Sequence, residues 1–281
     1  MSTIALEFKD HSDSSHPHKT IAHLRLNRPE AANAIHAEMM DELAAALELV
    51  QKRAEQGSCR LLVFSAEGRH FSAGADLAWM KASQKLSYED NLAEARRLSL
   101  VYERLAGLSI PSLALAQGAV YGGACGLIAA CDYAFAAEGS RFCLSEVRLG
   151  LLPAVILPYL KNKMREGDLL RWALSAQVFT AEQAKSSGLI QDYASPSSLE
   201  SLVQTELEAL LKGGPQAQLR FKSLMKSLQT GNLAAASLSL EDPSRSVREL
   251  CFHTIAEVRT QAEAQEGLSS FFAKRLPTWT L

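Results

Sequence analysis

Two short turns in the sequence combine glycine with other small residues, and each lies between an apolar stretch and a helical one. The first is FSAGADLAWM, Phe71 to Met80, and the second is GAVYGGACG, Gly118 to Gly126. Small side chains leave the backbone accessible, and amides at the start of a helix point outward and are strengthened by the helix dipole. We therefore predict that the N–H groups of Ala75 and Gly123 are available to a ligand.

Two convergent donors of this kind form an oxyanion hole, which stabilises negative charge developing on a carbonyl oxygen. Gly122, next to Gly123, would let a ligand approach the main chain closely. Other glycine-rich sites fit less well, because no Gly-Lys-Ser/Thr follows the turn and the strict GxGxxG dinucleotide pattern is absent. For the first turn alone, an ordinary strand-to-helix connection is an equally good interpretation.

Strands and helices must alternate to position these turns. Apolar runs predict strands at Ile4 to Phe8, Ile21 to Leu26, Arg60 to Ser65, Ser112 to Gln117 and Tyr133 to Ala137. Helical periodicity predicts one helix from His36 to Gln56 and another from Tyr88 to Leu105. It also predicts a helix that begins near Asp76 and a helix of small residues that runs towards Cys131. From about Leu157 helical periodicity dominates, so strands are expected to end near the middle of the chain.

Two segments need separate interpretation. Pro111 to Ala137 is apolar enough to resemble a membrane span, but its glycines favour a buried strand that runs into a buried helix across a turn. The polar stretch His11 to His18 is expected to be a hairpin turn or a surface loop.

The composition excludes several classes of protein. The chain has 281 residues, with 29 Lys and Arg against 31 Asp and Glu, so clustered positive charge for nucleic acid is lacking. The first residues do not have the order of a secretory signal, which makes a cytoplasmic location the expectation. The five cysteines form no CxxC pair or zinc-type spacing, so we expect reduced thiols and no metal site.

Three motifs, FSAGADL, GAVYGGACGLIAACD and SRFCLSEVRLGLLPA, resemble the enoyl-CoA hydratase (crotonase) family in their order and spacing. LSAQVFTAEQAKSSGLI and EGLSSFFAKRLPTW extend the resemblance over almost the whole chain. It implies an α/β fold, with a crotonase-like ββα spiral core over residues 1–200. It also implies a C-terminal helical region, residues 201–281, that makes the protein a homotrimer or a dimer of trimers.

The resemblance also assigns the catalytic groups. The oxyanion-hole amides of the family fall on Ala75 and Gly123, the two positions that the turns indicate independently. One of the family's two catalytic glutamates matches Glu146, whereas the other position holds Gly126. Glu146 would then deprotonate water and return the same proton to the α carbon. The alternative is that Glu146 only pairs with Arg148.

Contacts to coenzyme A are implied in the same way. They fall on Arg28, on the backbone from Ala73 to Leu77 with Asp76 between them, on Gly122, and on the basic pair Lys274 and Arg275. The basic pair would reach the ligand of a neighbouring subunit, although such a pair at a helix end is also ordinary dipole complementarity. Coenzyme A is part of the substrate, and no cofactor is expected.

The residues of these motifs resemble those of bacterial methylglutaconyl-CoA hydratases and isohexenylglutaconyl-CoA hydratases, enzymes of leucine and acyclic terpene degradation. These substrates carry an extra carboxylate, so a cationic or amide-donating group is expected in the acyl pocket, with Lys81 and Arg148 as candidates. A Δ3,Δ2-enoyl-CoA isomerase and an inactive acyl-CoA-binding relative are the alternatives. Cys143 and Ser145 are not expected to act as nucleophiles, since no histidine is placed as their base.

Overall fold

The structure, a computed structural model, describes residues 2–10, 20–230 and 243–280. Its longer strands lie in the first half of the chain, where apolar runs are dense. The strands are β1 (Ile4–Asp10), β2 (Thr20–Leu26), β3 (Leu61–Ala66), β4 (Ser112–Ala116), β5 (Ala119–Tyr121), β6 (Tyr133–Ala137), β7 (Arg141–Cys143), β8 (Phe179–Thr180) and β9 (Asp192–Ala194).

Helices form the connections and most of the C-terminal third. They are α1 (Ala37–Glu55), α2 (Leu77–Ser83), α3 (Tyr88–Gly107), α4 (Gly123–Ala130), α5 (Leu157–Lys163), α6 (Glu166–Ser175), α7 (Ala181–Ser187), α8 (Pro196–Lys212), α9 (Pro215–Thr230), α10 (Pro243–Thr260) and α11 (Ala262–Phe272). Some starts are specified locally by capping side chains. Ser87 accepts a hydrogen bond from the Asp90 amide before α3, and Thr180 and Gln183 form a capping box at α7.

The main sheet has the strand order β1-β2-β3-β4-β6-β9. β1 and β2 are antiparallel, whereas the later neighbours are parallel. Parallel neighbours require a long crossover, which α1 supplies between β2 and β3, and α2 with α3 between β3 and β4. The carboxyl ends of β2, β3 and β4 therefore lie at one edge of the sheet, and their loops meet there.

A smaller sheet has the order β5-β7-β8. Within it Val120 pairs with Phe142, and Tyr121 pairs with Cys143. These pairs hold the second glycine turn next to the segment that contains Glu146.

The main sheet is buried on both faces. Leu62 and Phe64 pack with α1, α3 and α4, whereas Leu61 and Val63 pack with Leu207 and its neighbours on α8. Such continuous apolar runs are typical of parallel strands covered on both sides. The loops of the site therefore start from central strands that are covered on both faces.

The strands and helices predicted in the first half are confirmed, with ends shifted by one or two residues. Pro111 to Ala137 forms β4, β5, α4 and β6, so the strand-to-helix interpretation is confirmed, although the turn itself also contains the short β5. Within the described ranges no helix has the length and hydropathy to cross a membrane. The loop predicted at His11 to His18 lies outside the described residues.

The expectation that strands end near the middle of the chain is wrong. β8 pairs with β7 through Phe179 and Phe142, and β9 pairs with β6 through Asp192 and Phe135. These strands have two and three residues, which is too short for an alternating pattern. Their partner strands determine their conformation.

Candidate active site

The first turn is held by hydrogen bonds on both sides of Ala75. The Ile35 amide donates to the Gly74 carbonyl at 2.8 Å, and the Asp76 amide donates to the Ile35 carbonyl at 2.8 Å. The N–H of Ala75 itself has no hydrogen-bond partner among the described residues, and Ala75 is exposed. The structure thus leaves this predicted donor available.

Asn33 supports the same turn from the loop after β2. Its buried Nδ2 donates to the Glu67 carbonyl at 2.9 Å and to the His70 carbonyl at 2.8 Å, while Oδ1 accepts from the Arg28 amide at 2.8 Å. Asn33 has φ 51, a left-handed conformation that asparagine tolerates. Sequence analysis missed this residue, because a single loop asparagine gives no signal of its distant partners.

Asp76 caps α2 by accepting hydrogen bonds from the amides of Ala78 and Trp79 at 2.9 and 3.3 Å. Its other oxygen accepts from Arg28 Nη1 at 2.8 Å. The hydrogen bond from Arg28 is the main reason that the pKa of Asp76 lies below its ordinary value, and the bond from Trp79 adds to it. Arg28 therefore stabilises the turn that contains Ala75. The predicted contact of Arg28 with coenzyme A stays a prediction.

The second turn places Gly123 at the first position of α4. Gly122 has φ 55 and ψ −123, which residues with a side chain rarely adopt, and its amide donates to the Cys143 carbonyl at 2.8 Å. The N–H of Gly123 is in the first helical turn and has no partner there. No other acceptor for it lies within the described part of the chain. The second predicted donor is therefore also available.

Glu146 follows β7 and begins a short 3-10 turn, Glu146–Leu149. Its carboxylate lies against the second glycine turn, since Oε1 would be 3.3 Å from a Cβ placed on Gly122. Oε2 is buried and has no hydrogen-bond partner in the described residues. Burial raises the pKa of Glu146 above its ordinary value. Arg148 is exposed and does not compensate this carboxylate, so the alternative of a simple ion pair is wrong.

A single cavity of about 150 Å³ joins these groups. Ala75, Gly123 and Glu146 all contribute to its wall. The other lining residues are mostly apolar, namely Ile35, Trp79, Leu98, Tyr102, Leu152, Pro153, Ala154, Val155 and Ile156. Two unpaired amides and one carboxylate of raised pKa in an apolar cavity suit the stabilisation of an enolate and the movement of a proton.

The packing around Gly126 explains why a second carboxylate is absent. A Cβ at Gly126 would lie 2.2 Å from Ile156 Cγ2 and 3.0 Å from Tyr102 Cε1. Ile156 and Tyr102 therefore occupy the space that a side chain at position 126 would need. The sequence did not identify either residue, because apolar and aromatic residues at such positions are typical of the core.

Cys143 and Ser145 do not have the surroundings of a nucleophile. The Cys143 thiol is buried and donates to the Ala176 carbonyl at 3.4 Å, and burial raises its pKa. A reactive thiolate needs the opposite shift. No histidine is among the described residues that line the cavity.

The structure does not bring Lys274 and Arg275 to the cavity of their own chain. Arg275 donates two hydrogen bonds to Glu266, at 2.7 and 2.8 Å. Nearby Trp279 donates to the Lys212 carbonyl at 3.1 Å. Glu266 and Trp279 line a groove with Cys59 and Arg60 near the amino end of β3, at the edge of the sheet opposite to the cavity.

Two other predicted ligand contacts, Ala73 and Leu77, flank Ala75 in the first turn. Ala73 is exposed, and the side chain of Leu77 is 82% exposed. Lys81 and Arg148 do not line this cavity of their own chain, so their role as the carboxylate-binding group stays a prediction. Among the described lining residues there is no cation and no side-chain amide.

Comparison with known proteins identifies the family of the chain. The family model described as enoyl-CoA hydratase/isomerase matches residues 16–281. A crystal structure of an enoyl-CoA hydratase from Shewanella pealeana is 35% identical and superposes with a TM-score of 0.85, covering 98% of this chain and 95% of that one.

Two curated relatives show similarity over the same length. An enoyl-CoA isomerase/hydratase of Mycosarcoma maydis is 30% identical over 278 residues, with 95% of each chain covered. The 2,3-dehydroadipyl-CoA hydratase of Escherichia coli K12 is 29% identical, with 90% of this chain and 92% of that protein covered.

The chain therefore belongs to the enoyl-CoA hydratase/isomerase family and is an enzyme of the crotonase fold. The family and the fold class predicted from the motifs are confirmed.

Proposed function

We propose that the protein is an enoyl-CoA hydratase that adds water across the 2,3 double bond of a 2-enoyl-CoA thioester. The main support is that the amides of Ala75 and Gly123 and Oε2 of Glu146 have no hydrogen-bond partner among the described residues, and that these three residues line one cavity. The amides would bind the thioester oxygen and stabilise the enolate. The raised pKa makes Glu146 a stronger base than an ordinary carboxylate.

A single carboxylate is sufficient for this reaction if it acts twice. Glu146 takes a proton from water as the water oxygen attacks the β carbon, and the electrons of the double bond move to the thioester oxygen. The enolate then takes the proton from Glu146 at the α carbon. Both new bonds form on the face of the substrate that Glu146 approaches, so we expect syn addition.

The substrate that we propose is a branched enoyl-CoA with an extra carboxylate, of the methylglutaconyl-CoA type, from leucine or acyclic terpene degradation. The motif resemblance supports this substrate. One relative is also named 2,3-dehydroadipyl-CoA hydratase, and that name refers to the CoA thioester of a dicarboxylic acid. Because the cavity wall contains no cation within the described chain, the partner for that carboxylate would come from a neighbouring subunit.

This requirement fits the proposed homotrimer or dimer of trimers, in which residues 201–281 mediate assembly around the core formed by residues 1–200. Lys274 and Arg275 would then contact a neighbour's coenzyme A, beside Arg28, Gly122 and the backbone from Ala73 to Leu77. No cofactor takes part in the proposed chemistry, and we propose that the enzyme acts in the cytoplasm.

The test is product analysis with the purified protein and its Glu146→Gln variant. Wild-type enzyme should add the mass of water to methylglutaconyl-CoA. Glu146→Gln should lose hydration by about a hundredfold or more while it still binds acyl-CoA. A variant with nearly normal turnover would reject Glu146 as the base, and a wild-type enzyme that hydrates only uncharged enoyl-CoA would reject the carboxylated substrate.

Δ3,Δ2-Enoyl-CoA isomerisation is the second candidate, because one carboxylate can move a proton across an allylic system and position 126 lacks the second one. The relative from Mycosarcoma maydis carries both activities in its name. A 3-enoyl-CoA that is converted without a change of mass would support isomerisation. An acyl-CoA that binds and is never converted would support the inactive alternative.

A further inference from the structure

The attacking water in the proposed reaction needs a second partner. Glu146 can accept one of its protons, but one hydrogen bond does not fix the direction of the oxygen lone pair. The space that a Cβ at position 126 would need is taken by Ile156 and the ring of Tyr102. Of these two, only Tyr102 carries a polar atom.

Tyr102 lies on α3 and is almost completely buried, with 2% of its surface exposed. Its hydroxyl donates to the carbonyl of Gly123 at 3.2 Å, and within the described residues it has no other hydrogen-bond partner. Tyr102 also lines the same cavity as Glu146. A hydroxyl whose proton is already used keeps its lone pairs as acceptors.

We propose that the Tyr102 hydroxyl accepts a hydrogen bond from the attacking water and so replaces the second carboxylate as its positioning group. The role rests on the proposed hydratase function. One O–H group of the water donates a hydrogen bond to the Tyr102 oxygen and keeps its proton. The other proton of the water is transferred to Glu146. Its oxygen forms the bond to the β carbon, the double-bond electrons move to the thioester oxygen, and Glu146 then protonates the α carbon.

Burial and the nearby Glu146 carboxylate raise the pKa of Tyr102, so the phenol keeps its proton at neutral pH. It therefore orients the water without acting as acid or base. Tyr102 would also hold Gly123 through the same hydrogen bond, and a purely structural role of this kind is the alternative. The two roles differ because exchange of α protons requires the oxyanion hole and Glu146 but no attacking water.

The experiment compares wild-type enzyme with Tyr102→Phe, and with Tyr159→Phe as a matched control. Tyr159 packs against Tyr102 with ring centroids 5.7 Å apart, but it does not line the cavity. Two rates are measured, hydration of an enoyl-CoA and exchange of the α protons of a saturated acyl-CoA in heavy water. Tyr102→Phe should slow hydration roughly ten- to a hundredfold and leave exchange within about threefold, and Tyr159→Phe should change neither.

The outcomes are distinct. Equal losses of hydration and exchange in Tyr102→Phe would show that Tyr102 only supports Gly123, and unchanged hydration would show that it has no part in the reaction. Both results overturn the proposal while the hydratase function stands. A wild-type enzyme that exchanges α protons but hydrates neither methylglutaconyl-CoA nor an uncharged enoyl-CoA would reject the hydratase function, and the role of Tyr102 with it.

Discussion

At the scale of single residues, the folded protein stabilises the charged form of Glu146 poorly. It is partly buried, and within the described parts of the chain its Oε2 has no partner and no cation shifts its pKa. Asp76 shows the opposite environment, because Arg28 and the start of α2 stabilise its charge. The two acids differ in surroundings rather than in chemistry, and the less stabilised one is the better base.

This environment predicts a dependence of stability on pH. Since the pKa of Glu146 is raised in the folded chain above the ordinary 4.5, ionisation lowers the free energy of unfolding as pH rises through the raised pKa. Glu146→Gln removes this loss. The variant should be more stable than wild type at neutral pH, and the difference should vanish below about pH 4.5.

Urea unfolding over a pH series measures this difference. Glu138→Gln is the control, because it changes a carboxylate on the surface turn after β6. A Glu146→Gln variant that is less stable than wild type at neutral pH would mean that the carboxylate has a stabilising partner in the protein.

At the scale of elements, the site depends on two turns that contact each other. The Tyr121 carbonyl would lie 3.4 Å from a Cβ on Gly74, so the turn after β4 packs on the turn after β3. The bridge between Ser72 and Val120 joins the same loops. A change in either turn is therefore expected to move both amides.

Gly122→Ala tests this arrangement. The new methyl group would be strained at φ 55 and would lie 3.3 Å from Oε1 of Glu146. Gly57→Ala is a matched control, because Gly57 has φ 70 but no atom near the added methyl group. Both variants should lose unfolding free energy, by about 1 to 3 kcal/mol each. Only Gly122→Ala should also lose activity, by roughly tenfold or more.

Steady-state kinetics and denaturant unfolding measure these two effects separately. If Gly57→Ala loses as much activity as Gly122→Ala at equal stability, the closeness of Gly122 to Glu146 has no catalytic consequence.

At the scale of the whole molecule, the C-terminal helices are joined to the sheet at the edge opposite to the site. Lys222 on α9 donates to Asp132 Oδ2 and to the Ile110 carbonyl. Asp132 also accepts from the amide and hydroxyl of Ser112 at the start of β4. The contact therefore connects α9 directly to the main sheet.

Lys222→Met should weaken this connection and lower the free energy of unfolding by about 1 to 3 kcal/mol, because Lys222 is largely buried, with 17% of its side chain exposed. Arg220→Met is the control on the same helix. Arg220 pairs with Glu257, and both side chains are about half exposed, so its loss should cost under about 1 kcal/mol. Hydrogen exchange in α9 should increase only in Lys222→Met, and equal effects of both variants would contradict the proposed connection.

The sequence by itself determined the units of this fold and the main-chain part of the site. Apolar runs, helical periodicity and glycine turns are local features, and they predicted β3, β4, α4 and the amides of Ala75 and Gly123. The motif resemblance added Glu146 and the missing carboxylate at Gly126.

Only the tertiary structure decided which side chains complete the site. Tyr102 and Ile156 come from distant parts of the chain and fill the space beside Gly126, and Asn33 joins loops whose residues are far apart in sequence. The short strands β8 and β9 exist because partner strands are present. Such contacts depend on how separate elements pack, and a pattern within one element contains no information about its neighbours in space.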